Sequence, residues 1–302
     1  MSLQWATDAA MYAEQCCALT AAAASASAQL VCFPEHTALP LLALLDPDFA
    51  GSWATGLLQA DKLPAFSAHW RRVFPAAQRV YRATFARLAR KSGVSIVAGA
   101  LLVPAPGGGL VSMAHLFLPD GRVAIRQAKL AQAVFGDDLA DAVSVDTVVV
   151  SEAAGARSAL LCGEDAAHFE IARCAVAAGA EILAAPAAGV TAESPWEARQ
   201  QLWTLAQSCM VFGVRACLVA GAVGLPWRGR SGIYAPLELT EDGTGVLVEA
   251  ESADQEEVIV ASVDLAQLRQ LRQSEAPELP VALVQRYLSG SGAASRLIAR
   301  DA

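Results

Sequence analysis

Short apolar runs alternate with longer amphipathic segments along this chain, and that alternation predicts strands and helices in succession. Apolar residues at helical spacing predict helices over residues 6–28, 65–91, 165–178, 196–212 and 264–273, the last with Asp264 as N-cap. Runs of branched and small apolar residues predict strands over residues 28–33, 94–103, 111–118, 122–127, 147–151, 157–161, 181–186, 215–220 and 258–263. Asp120 and Gly121 in "LPDGR" predict a hairpin turn.

The order of these elements favours a single domain of mixed α/β class. Strand, helix and strand follow one another between residues 157 and 186, as in a parallel unit. Neither a linker nor a clear tandem repeat divides the sequence, so we expect one domain over residues 1–302. The hydrophobic content of 55% is sufficient for a large core in a chain of this length.

The charge of the chain restricts its partners. The formal net charge of -8 and the scatter of lysines and arginines argue against a nucleic-acid or anionic membrane surface. The apolar runs are shorter than the roughly 20 residues that a membrane span requires. We therefore expect a cytoplasmic protein that acts on a small neutral or cationic molecule.

Most cysteines and histidines lack the sequence spacing of metal ligands. The four histidines are too scattered to indicate a metal site, and we expect neither a metal nor a cofactor. Six of the seven cysteines lie in apolar surroundings without metal-ligand spacing, as reduced core cysteines do: Cys16, Cys17, Cys32, Cys174, Cys209 and Cys217.

Cys162 differs because it ends a predicted strand and is followed at once by Gly163, Glu164 and a predicted helix. Backbone N–H groups and the helix dipole at such a position favour a thiolate and can hold an oxyanion, with the Gly163 N–H as a candidate donor. A thiol of lowered pKa is expected to react with iodoacetamide near neutral pH before the buried cysteines do. The alternative is a small buried structural thiol.

Two further ionisable residues, Glu35 and Lys129, lie at ends of predicted strands. Glu35 follows the apolar run that stops at Pro34, where a carboxylate is costly unless it has a partner or a chemical role. Taken alone, Glu35 would be a surface glutamate and Lys129 a solvated lysine. Together with Cys162 they form a set in which we expect Glu35 to act as general base and Lys129 to stabilise a tetrahedral intermediate.

This set resembles the nitrilase, or carbon–nitrogen hydrolase, superfamily. That family has a Glu in "FPE" after an apolar strand, a Lys eight residues after a Gly turn, and a Cys followed two residues later by Asp or Glu. Here "FPE" ends at Glu35, Lys129 is eight residues after Gly121, and Glu164 is two residues after Cys162. Later segments, "HFEIAR", "AAGAEILAAP", "GRSGIYAP" and "VASVDLAQLRQLR", extend the resemblance over residues 6 to 290.

The resemblance implies a four-layer α-β-β-α sandwich, a cysteine–thioester mechanism and a homodimer or higher homo-oligomer. It assigns nucleophile, base and oxyanion-stabilising cation to Cys162, Glu35 and Lys129. The substrate class that it favours is a small amide, with an N-carbamoyl compound or a nitrile as alternatives. The Ala-rich segment 165–178 is the expected dimer contact, because small residues permit close approach.

Two departures from the family, at Asp137 and in "SCMVFGV", keep a non-catalytic or regulatory relative open as the alternative. Where the family has a second Glu eight residues after the Lys, this chain has Asp137, which we expect to orient the substrate unless Asp137 and Asp138 are solvated loop carboxylates. The segment "SCMVFGV" replaces a family motif. Only "MSLQWA" precedes the first predicted helix, so we expect the family's N-terminal strand to be truncated.

Overall fold

Two β-sheets form the centre of the fold in this computed structural model, which describes residues 4–44, 63–105, 109–131, 148–189, 199–219 and 226–275. The first sheet has the order β1-β2-β3-β4, with β1 Leu30–Cys32, β2 Ser95–Pro104, β3 Leu110–Phe117 and β4 Val123–Ala128. The second has the order β10-β9-β8-β7-β6-β5, with β5 Val150–Ala153, β6 Ala156–Leu160, β7 Ile182–Ala187, β8 Phe212–Cys217, β9 Gly232–Tyr234 and β10 Val246–Glu249. Each sheet contains parallel neighbours: β1 with β2 in the first, and β6, β7 and β8 in the second. Parallel pairing brings the carboxyl ends of neighbouring strands to one edge of the sheet.

The helices are α1 Ala9–Ser25, α2 Leu63–Ser92, α3 Phe169–Ala177, α4 Thr204–Cys209 and α5 Leu265–Glu275. α1 begins where Asp8 Oδ1 accepts a hydrogen bond from the Met11 N–H at 2.8 Å. Short 3-10 helices cover Leu39–Leu44, Gly163–Ala167 and Leu237–Leu239, and a π-type turn, Arg199–Trp203, precedes α4. Of the helices in the described ranges, none is long and apolar enough to cross a membrane.

Three buried apolar clusters define the layers. Tyr12 of α1 and Phe85 of α2 pack with Ile96 on the outer face of the first sheet. A second cluster, which includes Val97, Leu116, Ala184 and Cys162, fills the space between the sheets. A third joins α3 and α4 to the outer face of the second sheet, through Ala172, Leu183 and Leu205. The layers are therefore helix, sheet, sheet and helix, and the predicted sandwich is confirmed.

The chain divides into two compact units, Met1–Leu265 and Ala266–Ala302. The sandwich belongs to the first unit, and the described part of the second is helical. The predicted hairpin at Asp120 is present between β3 and β4. Gly121 has a φ of +80°, and its N–H donates to the Leu118 carbonyl at 2.7 Å.

Several predicted elements differ from those observed. The helix predicted over 165–178 is divided, because His168 has extended backbone angles between the 3-10 turn Gly163–Ala167 and α3. The helix predicted to end at residue 212 stops at Cys209, and β8 begins at Phe212. Residues 258–263, predicted as a strand, pair with no strand of the described chain. β9 and β10 were not predicted as strands, since both are short.

Candidate active site

Glu35, Lys129 and Cys162 converge at one buried point. Glu35 follows β1, Lys129 directly follows β4, and Cys162 lies two residues after the end of β6. Glu35 Oε1 lies 3.2 Å from Lys129 Nζ and 3.6 Å from Cys162 Sγ. Only 1% of Glu35, 9% of Lys129 and none of Cys162 is exposed to solvent. The three residues singled out in the sequence are therefore brought together, although they follow different strands of the two sheets.

Ser112 is a fourth member of this cluster that sequence reasoning missed. Its hydroxyl donates to Glu35 Oε1 at 3.1 Å and lies 3.5 Å from Cys162 Sγ. The β3–β4 pairing continues to this point, since the Lys129 N–H donates to the Ser112 carbonyl at 2.9 Å. The signal in the sequence is weak: one serine at a buried position of an otherwise mostly apolar strand.

Glu35 is positioned by a tight turn that packs against β2. The Thr37 hydroxyl donates to the Pro34 carbonyl at 2.5 Å, which closes the turn around the glutamate. Gly99 lies at a bulge in β2 with a φ of +69°, and a Cβ built there would lie 2.0 Å from the Pro34 carbonyl oxygen. Only glycine allows the turn to approach the strand this closely.

Lys129 lies between two carboxylates. Besides Glu35, its ammonium group forms an ion pair with Glu164, whose side chain is about half exposed. Burial alone would lower the pKa of Lys129, but the Glu35 carboxylate, then Cys162 and Glu164, raise it above its usual value. Burial also acts to raise the pKa of Glu164, but the hydrogen bond and charge of Lys129 hold it below its ordinary value. The cluster therefore contains a permanent cation.

The expected low pKa of Cys162 is not found. Burial, and then the charge of Glu35, raise the pKa of the thiol, and Lys129 and Ser112 offset this only in part. The expectation relied on a helix beginning just after the cysteine, whereas α3 begins only at Phe169. Burial and the charge of Glu35 therefore favour the protonated thiol, whose S–H donates to Glu35 Oε1 at 3.6 Å.

Gly163, the candidate oxyanion donor, has a φ of +56°. A Cβ at this position would lie 2.5 Å from Glu35 Oε2 and 2.7 Å from Lys129 Nζ. The residue after the cysteine therefore has to be glycine if the base and the cation are to reach the thiol.

Asp137 and Asp138 lie outside the described residues. Another carboxylate, Asp165, is fully buried on the turn of Cys162 and was missed in the sequence.

Among the described residues, no group of three or more histidine, cysteine, aspartate or glutamate side chains could hold a metal ion.

Comparison with known proteins identifies a family and a fold. The family model for carbon-nitrogen hydrolases matches residues 2–273. A search of curated protein sequences found no significant match. Among solved structures, the NitN amidase of Nesterenkonia sp. AN1 is 19% identical, with 95% of this chain and 97% of that chain covered and a TM-score of 0.65.

Two mutant forms of the Nesterenkonia amidase with bound amides are also similar. A double mutant in complex with acrylamide is 18% identical, with 95% of this chain and 94% of that chain covered and a TM-score of 0.64. A mutant in complex with butyramide is 19% identical, with 84% and 85% of the two chains covered and a TM-score of 0.58. At these identities the likeness concerns the fold alone, and it agrees with the layers described above.

Proposed function

The chain belongs to the carbon–nitrogen hydrolase family, and on that premise we propose that it hydrolyses a small amide through a thioester on Cys162. One observation carries the proposal: the Cys162 thiol faces the Glu35 carboxylate at 3.6 Å, beside the Lys129 ammonium group. A nucleophile next to its base is the arrangement that covalent catalysis requires. The alternatives for these residues, a surface glutamate and a solvated lysine, do not fit their burial.

In the first step, Cys162 Sγ attacks the amide carbonyl carbon and Glu35 accepts the thiol proton. A carbon–sulfur bond forms, and the carbonyl oxygen becomes an oxyanion. The Lys129 ammonium group and, in our proposal, the Gly163 N–H stabilise that charge. Fixed charges and dipoles act strongly in a site from which water is excluded, because nothing has to reorganise during the reaction.

The tetrahedral intermediate then breaks down with Glu35 as general acid. The carboxyl proton passes to the leaving nitrogen, the carbon–nitrogen bond breaks, and ammonia or an amine departs from the thioester. Glu35, now ionised again, accepts a proton from a water molecule that attacks the thioester carbon. Collapse of this second intermediate releases the carboxylic acid and returns the proton to sulfur, so the cycle closes without another reactant.

The raised pKa of Cys162 is compatible with this cycle. The proton remains on sulfur until an electrophilic carbon is bound, and its acceptor is already within reach. A thiolate that exists before the substrate binds would instead need a neighbouring cation to stabilise it and would need no base. Glu35 therefore has a defined role from the first step, and the mechanism does not depend on a helix dipole.

Short aliphatic amides are the substrates that we propose to test first. The similar Nesterenkonia amidase has been solved with acrylamide and with butyramide, and this supports the choice without deciding it. N-carbamoyl compounds and nitriles remain the alternatives, because their conversion uses the same nucleophile. The cytoplasmic location and the homodimer expected from the sequence remain predictions.

The proposal is tested by ammonia release from acetamide, butyramide, acrylamide, an N-carbamoyl amino acid and propionitrile. Cys162→Ser should abolish turnover with its fold intact, since the exchange is nearly isosteric. Cys174→Ser is the matched control, because Cys174 is exposed on α3. Ammonia release by Cys162→Ser within tenfold of the wild type would overturn the mechanism. A wild type inactive on every compound would favour the non-catalytic relative.

A further inference from the structure

The Asp165 carboxylate connects the backbone beside Lys129 to the backbone of Cys162. Its Oδ1 accepts hydrogen bonds from the Leu130 N–H at 2.9 Å and the Ala131 N–H at 2.7 Å. Its Oδ2 accepts from the Cys162 N–H at 3.2 Å. The side chain is fully buried, so these donors are not shared with bulk water. Both strand ends that supply the cation and the nucleophile therefore meet at one side chain.

These contacts exceed what the local turn needs. The bond to the Cys162 N–H spans three residues and stabilises the 3-10 turn as an ordinary N-terminal cap does. The bonds to Leu130 and Ala131 span 35 and 34 residues, and they join a loop of the first sheet to a turn of the second. A cap would be complete without them, so their effect is on the relative position of the two segments.

All three partners of Asp165 are donors, so both of its oxygens have to accept. Hydrogen bonds to an ionised acceptor are stronger than those between neutral groups, and they are strongest when buried. Burial raises the pKa of Asp165 above its usual value, and the three backbone donors offset part of this rise because they favour the ionised carboxylate. A group with only one accepting atom cannot hold both segments.

We propose that Asp165 is a positioning residue that holds the Lys129 ammonium group in register with Cys162 and Glu35 for catalysis. This inference rests on the proposed amide hydrolysis, because that reaction is what requires the three side chains to be aligned. Asp165 does not touch the reacting atoms. It acts on the backbone from which Lys129 and Cys162 project, and Nζ and Sγ follow that backbone.

Asp165→Asn is the decisive variant because it preserves shape and removes one acceptor. The single amide oxygen can accept either from the N–H groups of Leu130 and Ala131 or from that of Cys162. The amide NH₂ then faces the N–H donor or donors that are left. We expect kcat to fall about 100-fold, the loss typical of a 1 Å misplacement in a tight site. KM should change by less than about threefold, since binding in the ground state does not depend on the alignment.

A second readout needs no substrate. Hydrogen exchange of the Leu130, Ala131 and Cys162 amides should become about tenfold faster in at least one of the two segments, because a protecting bond is lost there. Asp120→Asn is the matched control: it is the same change in an exposed hairpin, where Asp120 Oδ1 accepts from the Arg122 N–H. The control should leave both kcat and these exchange rates unchanged.

The outcomes separate this inference from the function on which it rests. Unchanged exchange at both segments, or faster exchange with an unchanged kcat, overturns the positioning role. A wild type that hydrolyses no amide overturns the proposed function, and exchange alone then decides whether Asp165 couples the segments. If Asp165→Asn does not fold, Asp165→Glu keeps both acceptors but displaces them, and it should lower kcat more than it changes KM.

Discussion

Replacing Glu35 with glutamine should change turnover and thiol reactivity in opposite directions. Glutamine has nearly the same shape, but it cannot accept the thiol proton. Loss of a general base usually costs about 10²- to 10⁴-fold in rate, and the middle of that range corresponds to about 4 kcal/mol in the barrier. We therefore expect kcat for the best amide to fall about 1,000-fold.

The thiol should become easier to ionise in the same variant. After burial, the Glu35 carboxylate is the largest contribution that raises the pKa of Cys162, and Lys129 would remain to lower it. Removing the negative charge lowers the pKa of the thiol, so the thiolate appears at lower pH than in the wild type. Alkylation of Cys162 by iodoacetamide should accordingly begin at lower pH in Glu35→Gln, while turnover is almost lost.

The stability of Glu35→Gln should decrease moderately. Removing one partner of a fully buried ion pair typically costs about 3–5 kcal/mol. Here Lys129 keeps its ion pair with Glu164, and the glutamine oxygen can still accept from Ser112, so we expect about 1–3 kcal/mol. Urea unfolding measures this loss and shows whether the variant is folded in the other assays.

The assays are ammonia release and mass-spectrometric alkylation of the Cys162 peptide across a pH series. Exposed Cys174 in the same molecule is the internal standard for the reagent. Turnover within tenfold of the wild type would show that Glu35 is not the base. Alkylation that begins at higher pH in the variant would refute the electrostatic account of the thiol.

Other predictions address the glycines, the acidic loop and the assembly. Gly163→Ala should lower turnover about 100-fold, since its Cβ would displace the base and the cation. Gly99→Ala should destabilise the fold in urea by about 1–3 kcal/mol more than Gly93→Ala, because both have positive φ but only Gly99 faces a backbone carbonyl; equal losses would contradict the clash. Asp137→Asn should reduce turnover far more than Asp138→Asn, and equal small effects would show that both are solvated. Light scattering at micromolar concentration should detect a dimer, and a strict monomer would contradict that expectation.

The sequence alone singled out three of the residues that meet in the candidate site. Glu35, Lys129 and Cys162 each follow an apolar run, and strand periodicity is a local property that a short window reveals. The ends of strands lie at the edges of sheets, so ionisable residues placed there can meet. The same local patterns predicted α1, α2 and the hairpin at Gly121, because helical periodicity and turn chemistry depend on neighbours in the chain.

Only the tertiary structure decided how that site works. Ser112 and Asp165 became visible through bonds to residues far away in the sequence, and no local pattern records such partners. The pKa of Cys162 was mispredicted, because burial between two sheets and the charge of Glu35 outweigh the turn that follows the cysteine. Residues 258–263 form an apolar run of the kind that predicts a strand, but a ladder also requires a partner edge. Burial, charge proximity and strand pairing belong to the packed chain, so they follow from the fold rather than from any segment of it.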